Sequence, residues 1–434
     1  MKQFASKDLM SDNTTTRRLR GFLRSIGLGL VSGAADDDCS AIGTYTQAGA
    51  QLGYRALWTA PVAFPMMVAV VYLSAKLGLV TGQGLFATLR SHFPRGLLYP
   101  LLVLVIVGNI IEAGADIGGM AASLGILVHV SQWVLVLGVT MAASVLQLWG
   151  SYRIIRNVFR ILALTLFAYI VSAFRSHPEL GNVVHGTLVP TVHFDQQTLA
   201  ILVAIVGASL STYLCVWQSN QEVEEKEAGG KHTPRQRRGT TDEELKASLL
   251  GTITGMLISS AVMYSIILTA ATTLYVARNH TIATALQAAE SLKPLAGRAA
   301  GLIFTVGIVG TGFLAVPIMV AGAAYALSQT FGWENGLYHG LGNAKRFYAA
   351  ISVFMLLAMG MNFIGINPMR ALVIAGIMQG LSIPPIMLLI MIMTNNRSIM
   401  GDKVNGKLIN ALGWVTTTVI FAASGCLLFS WLHS

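Results

Sequence analysis

Apolar residues in this 434-residue chain fall into long runs, and polar residues collect between them. Eleven runs reach the roughly 20 residues that a bilayer-spanning helix needs. They cover about 24–50, 55–80, 98–125, 130–149, 153–175, 197–221, 246–277, 299–329, 346–366, 369–393 and 408–432. The pattern predicts an all-α integral membrane protein with 11 transmembrane helices in one domain over 24–432. The one substantial hydrophilic stretch inside the chain, 222–245, mixes acids and bases and reads as a solvated cytoplasmic loop with a helical start. Residues 1–23 are polar and basic, lack the short apolar core of a cleavable signal, and read as a disordered cytoplasmic tail.

Two runs are interrupted. The first carries Asp36-Asp37-Asp38, flanked by Ser32-Gly33-Ala34-Ala35 and Ser40-Ala41. A charge at the centre of a spanning helix costs about 2.5–3.5 kcal/mol. Three in a row require the helix to break there and the break to face water, an ion or a partner. The sixth run holds Gly207-Ala208-Ser209-Leu210-Ser211-Thr212-Tyr213, rich in hydroxyls and poor in helix formers. The two interruptions lie five runs apart. That spacing predicts an inverted 5+5 repeat with broken helices 1 and 6, repeat 1 over about 24–175 and repeat 2 over about 197–393, plus one extra helix at about 408–432. Facing breaks make a midplane site, and three aspartates there favour a cation.

Composition supports the membrane reading: 54% of residues are hydrophobic and 11% charged, against about 25% charged in soluble domains. The net charge of +10 would suit nucleic acid, but its placement does not. With the amino terminus in the cytoplasm, 23 of the 29 Lys and Arg fall on the cytoplasmic side. This is the positive-inside bias, so no nucleic-acid partner is expected and the carboxyl terminus is predicted to be external. The three cysteines lie in apolar runs and do not suggest a disulfide framework.

Asp38 is the first candidate for direct contact with an ion; the competing role is a helix cap accepting backbone amides. Asp36 and Asp37 supply further negative charge, Asp37 as a possible ligand and Asp36 beside it with Ser40. Glu112 and Asp116, spaced i, i+4, share one helical face and suggest a proton or water path. Arg346 is a candidate base for that pair. Gln218, Asn220 and Gln221 continue the polar side of the sixth run and either line a cytoplasmic exit or mark the end of the run. Pro384-Pro385 predicts a kink or break. Cys39 and Cys215 lie near the breaks and could act as soft ligands; buried cysteines are more often packing residues.

The stretch from Asp38 through Gln47-Ala48-Gly49-Ala50 to Gly53-Tyr54 and Leu57-Trp58 resembles the first segment of the NRAMP (natural resistance-associated macrophage protein) divalent-metal transporters, whose pattern is DPGN, a spacer, QAGA, a Gly-Tyr pair and a Trp. Glu112–Gly118 resembles the family's acidic third segment, and Lys345-Arg346 a basic pair in the ninth. The resemblance implies that Asp38 binds the metal with the carbonyls of Ala35 and Ala208, and that Asp116 belongs to a proton pathway; Glu112 lies one position before the family's other acid, whose own place Ala113 takes. The chain departs from the family at the Asn position, which is Ala41, and at the MPH motif, which reads Ser211-Thr212-Tyr213. A segment-10 glutamine of many members maps onto Gly376. The site thus loses its thioether sulfur at Ser211, and Tyr213 stands in place of a titrating histidine.

Oxygen ligands and water suit Mg²⁺, Ca²⁺ and Mn²⁺, whereas a thioether favours softer metals. The expectation is a secondary-active transporter, not an enzyme, in a bacterial inner membrane, moving Mn²⁺ or a harder ion such as Mg²⁺ by alternating access. The ion is substrate, and no cofactor is expected; protons and the lipid bilayer complete the partners. A broken-helix carrier of an organic substrate, a channel and a transceptor are the alternatives. Gradient-driven, saturable flux without single-channel current separates a carrier from the others.

Overall fold

The computed structural model of the chain describes residue 33, residues 35–149 and residues 167–432. The predicted tail 1–23, the start of the first run and most of 153–175, with the basic cluster Arg153–Arg160, lie outside the described residues. Each predicted run meets a helix wherever it is described, and no strand occurs among the described residues.

The helices that matter below are α1 (Cys39–Leu52), α2 (Thr59–Thr81), α3 (Arg95–Leu127), α4 (Gln132–Trp149), α5 (Gln196–Ser209), α6 (Thr212–Ala228), α7 (Asp242–Ala270), α8 (Ala300–Phe331), α9 (Lys345–Met361), α10 (Pro368–Asn395) and α11 (Lys407–Leu432). Among the described residues, seven helical stretches are long and apolar enough to cross a membrane. The chain is a multi-pass membrane protein.

Helix α1 lies at the centre, packed on α3, α5, α7 and α10. Small residues allow this closeness. A Cβ at Gly49 would collide with the carbonyl oxygen of Ile267 on α7, and one at Gly207 with that of Gly376 on α10. Gln47, beside Gly49, pins an outer loop: its amide donates to the carbonyl of His280 at 2.8 Å and its carbonyl accepts from Ile282 N–H at 3.0 Å. The Gln-Ala-Gly-Ala stretch is therefore a packing and anchoring device.

Helix α10 runs unbroken through Pro384 and Pro385, so of the expected kink or break the break does not occur. Pro384 cannot donate to the carbonyl of Gly380 one turn back. Ser424 on α11 replaces that donor, its hydroxyl reaching Gly380 O at 2.9 Å. The lost backbone bond is thereby satisfied from a neighbouring helix.

Candidate functional site

Both predicted breaks are present, and they face each other. Residues 33, 35 and 36 are helical, Asp37 bends, and Asp38 is extended (φ −70°, ψ −177°) before α1 begins. The second break falls at Leu210 and Ser211, between α5 and α6.

Asp38 has two jobs. Its Oδ1 accepts the Ala41 N–H at 2.7 Å, capping α1, and the Ser40 hydroxyl at 2.8 Å. Its Oδ2 accepts the hydroxyl of Tyr213 at 3.0 Å, and the same hydroxyl lies 2.7 Å from the carbonyl of Ala35. The helix cap and the Tyr213 contact therefore use separate atoms of one carboxylate.

Ser40 links three acids. Its N–H donates to Asp116 Oδ1 at 3.0 Å, and its hydroxyl lies 3.0 Å from Glu112 Oε1 as well as on Asp38. The i, i+4 face of α3 predicted for Glu112 and Asp116 thus points at the first break. On the opposite side, Ser259 of α7 donates to Asp36 Oδ2 at 2.8 Å and Asp37 Oδ1 at 3.1 Å. Sequence reasoning missed Ser259; the signal was the adjacent Ser259-Ser260 pair near the middle of its run.

The exposure of Asp36, Asp37, Asp38, Glu112 and Asp116 is 0–1%. No Lys, Arg or His among the described residues forms an ion pair with any of them. One oxygen each of Asp36, Asp37, Glu112 and Asp116 has no hydrogen-bond partner among the described residues. Two ionised carboxyls 4 Å apart repel by about 4 kcal/mol at an effective dielectric of 20. Five enclosed acids therefore require bound protons or a cation for balance. Among the described residues no three His, Cys, Asp or Glu side chains converge as a ready-made metal cage. An ion at Asp38 would rely on carbonyl and hydroxyl oxygens for its other ligands.

At the second break, Gln379 on α10 is the residue that reaches in. Its Oε1 accepts the Thr212 N–H at 3.0 Å and the Thr212 hydroxyl at 2.6 Å, capping α6. Gly376, assigned to the family glutamine from ungapped spacing, instead packs on Ala204 and Thr44. The glutamine that serves this break lies three residues later, nearly one helical turn, and a count along a helix without a fixed register could not place it. Ser211 turns back on its own helix end, donating to Gly207 O at 2.9 Å with Ala208 O at 3.4 Å. Its hydroxyl is thus held mainly by Gly207 O and lies only at the edge of hydrogen-bond reach of the Ala208 carbonyl.

Arg346 is not brought to Glu112 or Asp116. It is exposed, and its guanidinium lies over the Trp333 ring, 5.6 Å from the centroid. This corrects its reading as a base for those acids: the start of α9 is at the surface, where an aromatic face takes the cation. Cys39 turns away from the break, its thiol donating to Ile308 O at 3.2 Å on α8. Cys215 is buried in the apolar core.

The 222–245 stretch has the helical start expected of it, α6 running to Ala228, and most of 228–244 is exposed, but its first residues are not solvated. Glu222, Lys226 and Glu227 are buried. The Lys226 ammonium donates to the carbonyls of Leu79, Arg237 and Gly239, at 2.8 Å to Arg237 and 2.7 Å to Gly239. Glu227 pairs with Arg237. Glu224 accepts the Tyr325 hydroxyl at 2.6 Å and the N–H groups of Leu337 and Tyr338, both at 2.9 Å. Gln218 donates to Glu222 at 3.3 Å, two turns from the break. These contacts strap the end of α6 to α2 and α8.

A sequence model of the family described as "Natural resistance-associated macrophage protein-like" matches residues 29–430. The chain belongs to this family. Among NRAMP relatives it is similar to the divalent metal cation transporter MntH of Klebsiella pneumoniae strain 342, 25% identical over 425 residues, covering 96% of this chain and 97% of that one. The MntH of Pectobacterium carotovorum strain PC1 is 26% identical over 430 residues, with 98% of each chain covered. Among solved structures, the manganese transporter of Eremococcus coleocola shares the fold with a TM-score of 0.72 at 14% identity, over 94% of this chain and 86% of that one. The MhsT structure with L-phenylalanine is more distant, at a TM-score of 0.61 and 9% identity, over 94% and 98% of the two chains. This NRAMP chain carries Asp36-Asp37-Asp38 at the first break, with Ala41, Ser211 and Tyr213 close to the two breaks.

Proposed function

We propose that this chain moves a divalent metal cation across the bilayer by alternating access, with the ion held at the first break by Asp38 Oδ2 and the Ala35 carbonyl. The observation that carries the reading is the Tyr213 hydroxyl lying between those two oxygens. A neutral donor there fills the position of a cation, inside a pocket of buried acids with no basic partner among the described residues. The names of the relatives, divalent metal cation transporter and manganese transporter, agree with a metal as substrate. When the ion enters, Tyr213 turns aside or offers its own oxygen. Asp37, Ala208 and Ser211 stand next in line as oxygen donors, and Asp36, Ser40 and Gln218 shape the approach.

The donor set is all oxygen, which suits Mn²⁺ and harder ions such as Mg²⁺. The acids joined through Ser40 are the groups that would take up protons when the ion leaves, and proton coupling runs through Glu112 and Asp116 without Arg346. Eleven crossings with an inverted 5+5 repeat, a cytoplasmic amino terminus and an external carboxyl terminus complete the reading.

An organic anion is the weaker substrate. Transporters that bind a carboxylate use a free half-helix amino end. Here both such ends are already filled, α1 by Asp38 and α6 by Gln379. Calorimetry of Mn²⁺, Mg²⁺ and Ca²⁺ on purified protein, with flux into sealed vesicles, tests the reading. Saturable uptake with Mg²⁺ competing at concentrations comparable to Mn²⁺ is expected; absence of any divalent-ion binding would reject it.

A further inference from the structure

We propose that the phosphodiester of an anionic phospholipid binds at one membrane surface where α3, α8 and α9 meet, on a stack of Tyr99, Phe331, Trp333 and Arg346. The rings of Tyr99 and Phe331 lie 6.2 Å apart at 19°, and those of Phe331 and Trp333 5.5 Å apart at 25°. The Arg346 guanidinium closes the series, 5.6 Å from the Trp333 centroid. The end of α8 builds this stack. Gly332 is left-handed (φ 71°), and the Trp333 N–H returns to Ser328 O at 2.8 Å, which sets the indole beside Phe331.

Charge selects an anion. Residues 85–111, 331–335 and 345–361 carry Arg90, Arg95, Lys345 and Arg346, all exposed, and Glu334 is the one acid among them. None of these four basic side chains forms an ion pair with a described residue. A guanidinium lying on a ring face keeps its N–H edge free, and that edge matches two oxygens of a phosphate. Arg90 packs on the same turn, since a Cβ at Gly332 would collide with its guanidinium.

Position selects a lipid over a soluble phosphate. On α3, Arg95, Tyr99, Val103 and Val107 follow one another at i, i+4, and all are exposed. One face of a spanning helix thus passes from a cation through an aromatic ring to hydrocarbon. That order is the order of the membrane boundary, where Arg meets headgroups and Tyr and Trp sit at the interface. Tyr99 to Val107 covers about 12 Å of helix, within the depth of about 15 Å that one leaflet's chains occupy. Acyl chains laid along Val103 and Val107 therefore bring their phosphodiester to the level of Arg95 and Arg346. A basic pocket between spanning helices is the arrangement that holds anionic headgroups. This inference does not rest on the identity of the transported ion.

The test uses full-length protein in neutral detergent, with bound lipid read by native mass spectrometry. Phosphatidylglycerol should bind about tenfold more tightly than phosphatidylcholine with the same acyl chains. Arg95→Gln combined with Arg346→Gln should erase that preference. Arg397→Gln combined with Lys407→Gln, at another exposed basic segment, should leave it unchanged, which separates a built site from general attraction to a positive surface. Trp333→Leu, which removes the ring under the guanidinium, should weaken phosphatidylglycerol about threefold. Arg346→Lys keeps the charge without the flat fork and should weaken it several-fold; this variant carries the test if the double arginine variant does not fold. Equal binding of the two lipids, a preference that survives loss of Arg95 and Arg346, or one lost equally in the Arg397 and Lys407 control would overturn the site. Displacement of phosphatidylglycerol by inorganic phosphate at matched concentration would assign the patch to a soluble phosphate and overturn the lipid.

Discussion

The hydroxyl of Tyr213, from the second break, donates to the carboxylate of Asp38 at the first, 3.0 Å away. One side chain thus holds the two halves of the site together. Its companion contact to Ala35 O, at 2.7 Å, places the hydroxyl between two oxygens that would otherwise be free for an ion. In the function proposed above, cation binding and this bond compete for the same atoms.

Removing the phenol oxygen should therefore favour the ion. Tyr213→Phe is expected to tighten Mn²⁺ binding roughly tenfold, because a hydrogen bond to a charged group is worth about 1.5–3 kcal/mol. Calorimetry measures it. Weaker binding in the variant would make the tyrosine a ligand rather than a competitor.

Asp38→Asn separates the two jobs of this carboxylate. Asn caps helices about as well as Asp, so α1 should stay intact and the melting temperature should move little. Divalent-ion binding should fall by roughly a hundredfold or more, and vesicle uptake should vanish. Wild-type uptake would remove Asp38 from the ion path.

Ser40→Ala deletes the hydroxyl shared by Asp38 and Glu112 while leaving the backbone donor to Asp116. A loss of about 1–3 kcal/mol is expected from leaving buried acceptors unsatisfied. Thermal unfolding in detergent, with and without Mn²⁺, reads it. Ion binding should recover part of the loss, since a cation satisfies the same oxygens.

On the strapped side, Lys226→Met keeps an apolar stem but leaves the carbonyls of Leu79, Arg237 and Gly239 without their shared donor. The segment 229–241 should loosen. Limited proteolysis should nick it several times faster than in wild type, and unchanged digestion would show that the Glu227–Arg237 pair holds the strap alone.

Outside the membrane, Asp195 caps α5 through Thr198, whose side chain and N–H hold its carboxyl below the ordinary aspartate range. A group lowered in this way stabilises the fold above its unfolded value and loses that contribution as pH falls through its folded value. Asp195→Ala should cost about 1 kcal/mol near neutral pH, and less in acid where the wild-type carboxyl is itself protonated. Denaturation followed at two pH values checks the sign.

The sequence alone determined where the chain is apolar enough to cross lipid and where two of those runs are interrupted. Apolar length and three adjacent aspartates are local facts: no partner helix can make a triple charge cheap in the middle of an unbroken span. The cap at Asp38 and the shared face of Glu112 and Asp116 were legible for the same reason, because helix geometry orders near neighbours. Only the tertiary structure decided which distant groups meet. Ser259, Gln379 and the Tyr213–Asp38 bond depend on helix rotation and register, which close contacts at residues such as Gly49 and Gly207 set and no periodicity records. The same holds for Arg346, drawn to Trp333 rather than to the acids, and for Lys226, whose three carbonyl partners come from two segments that approach it only when the bundle closes.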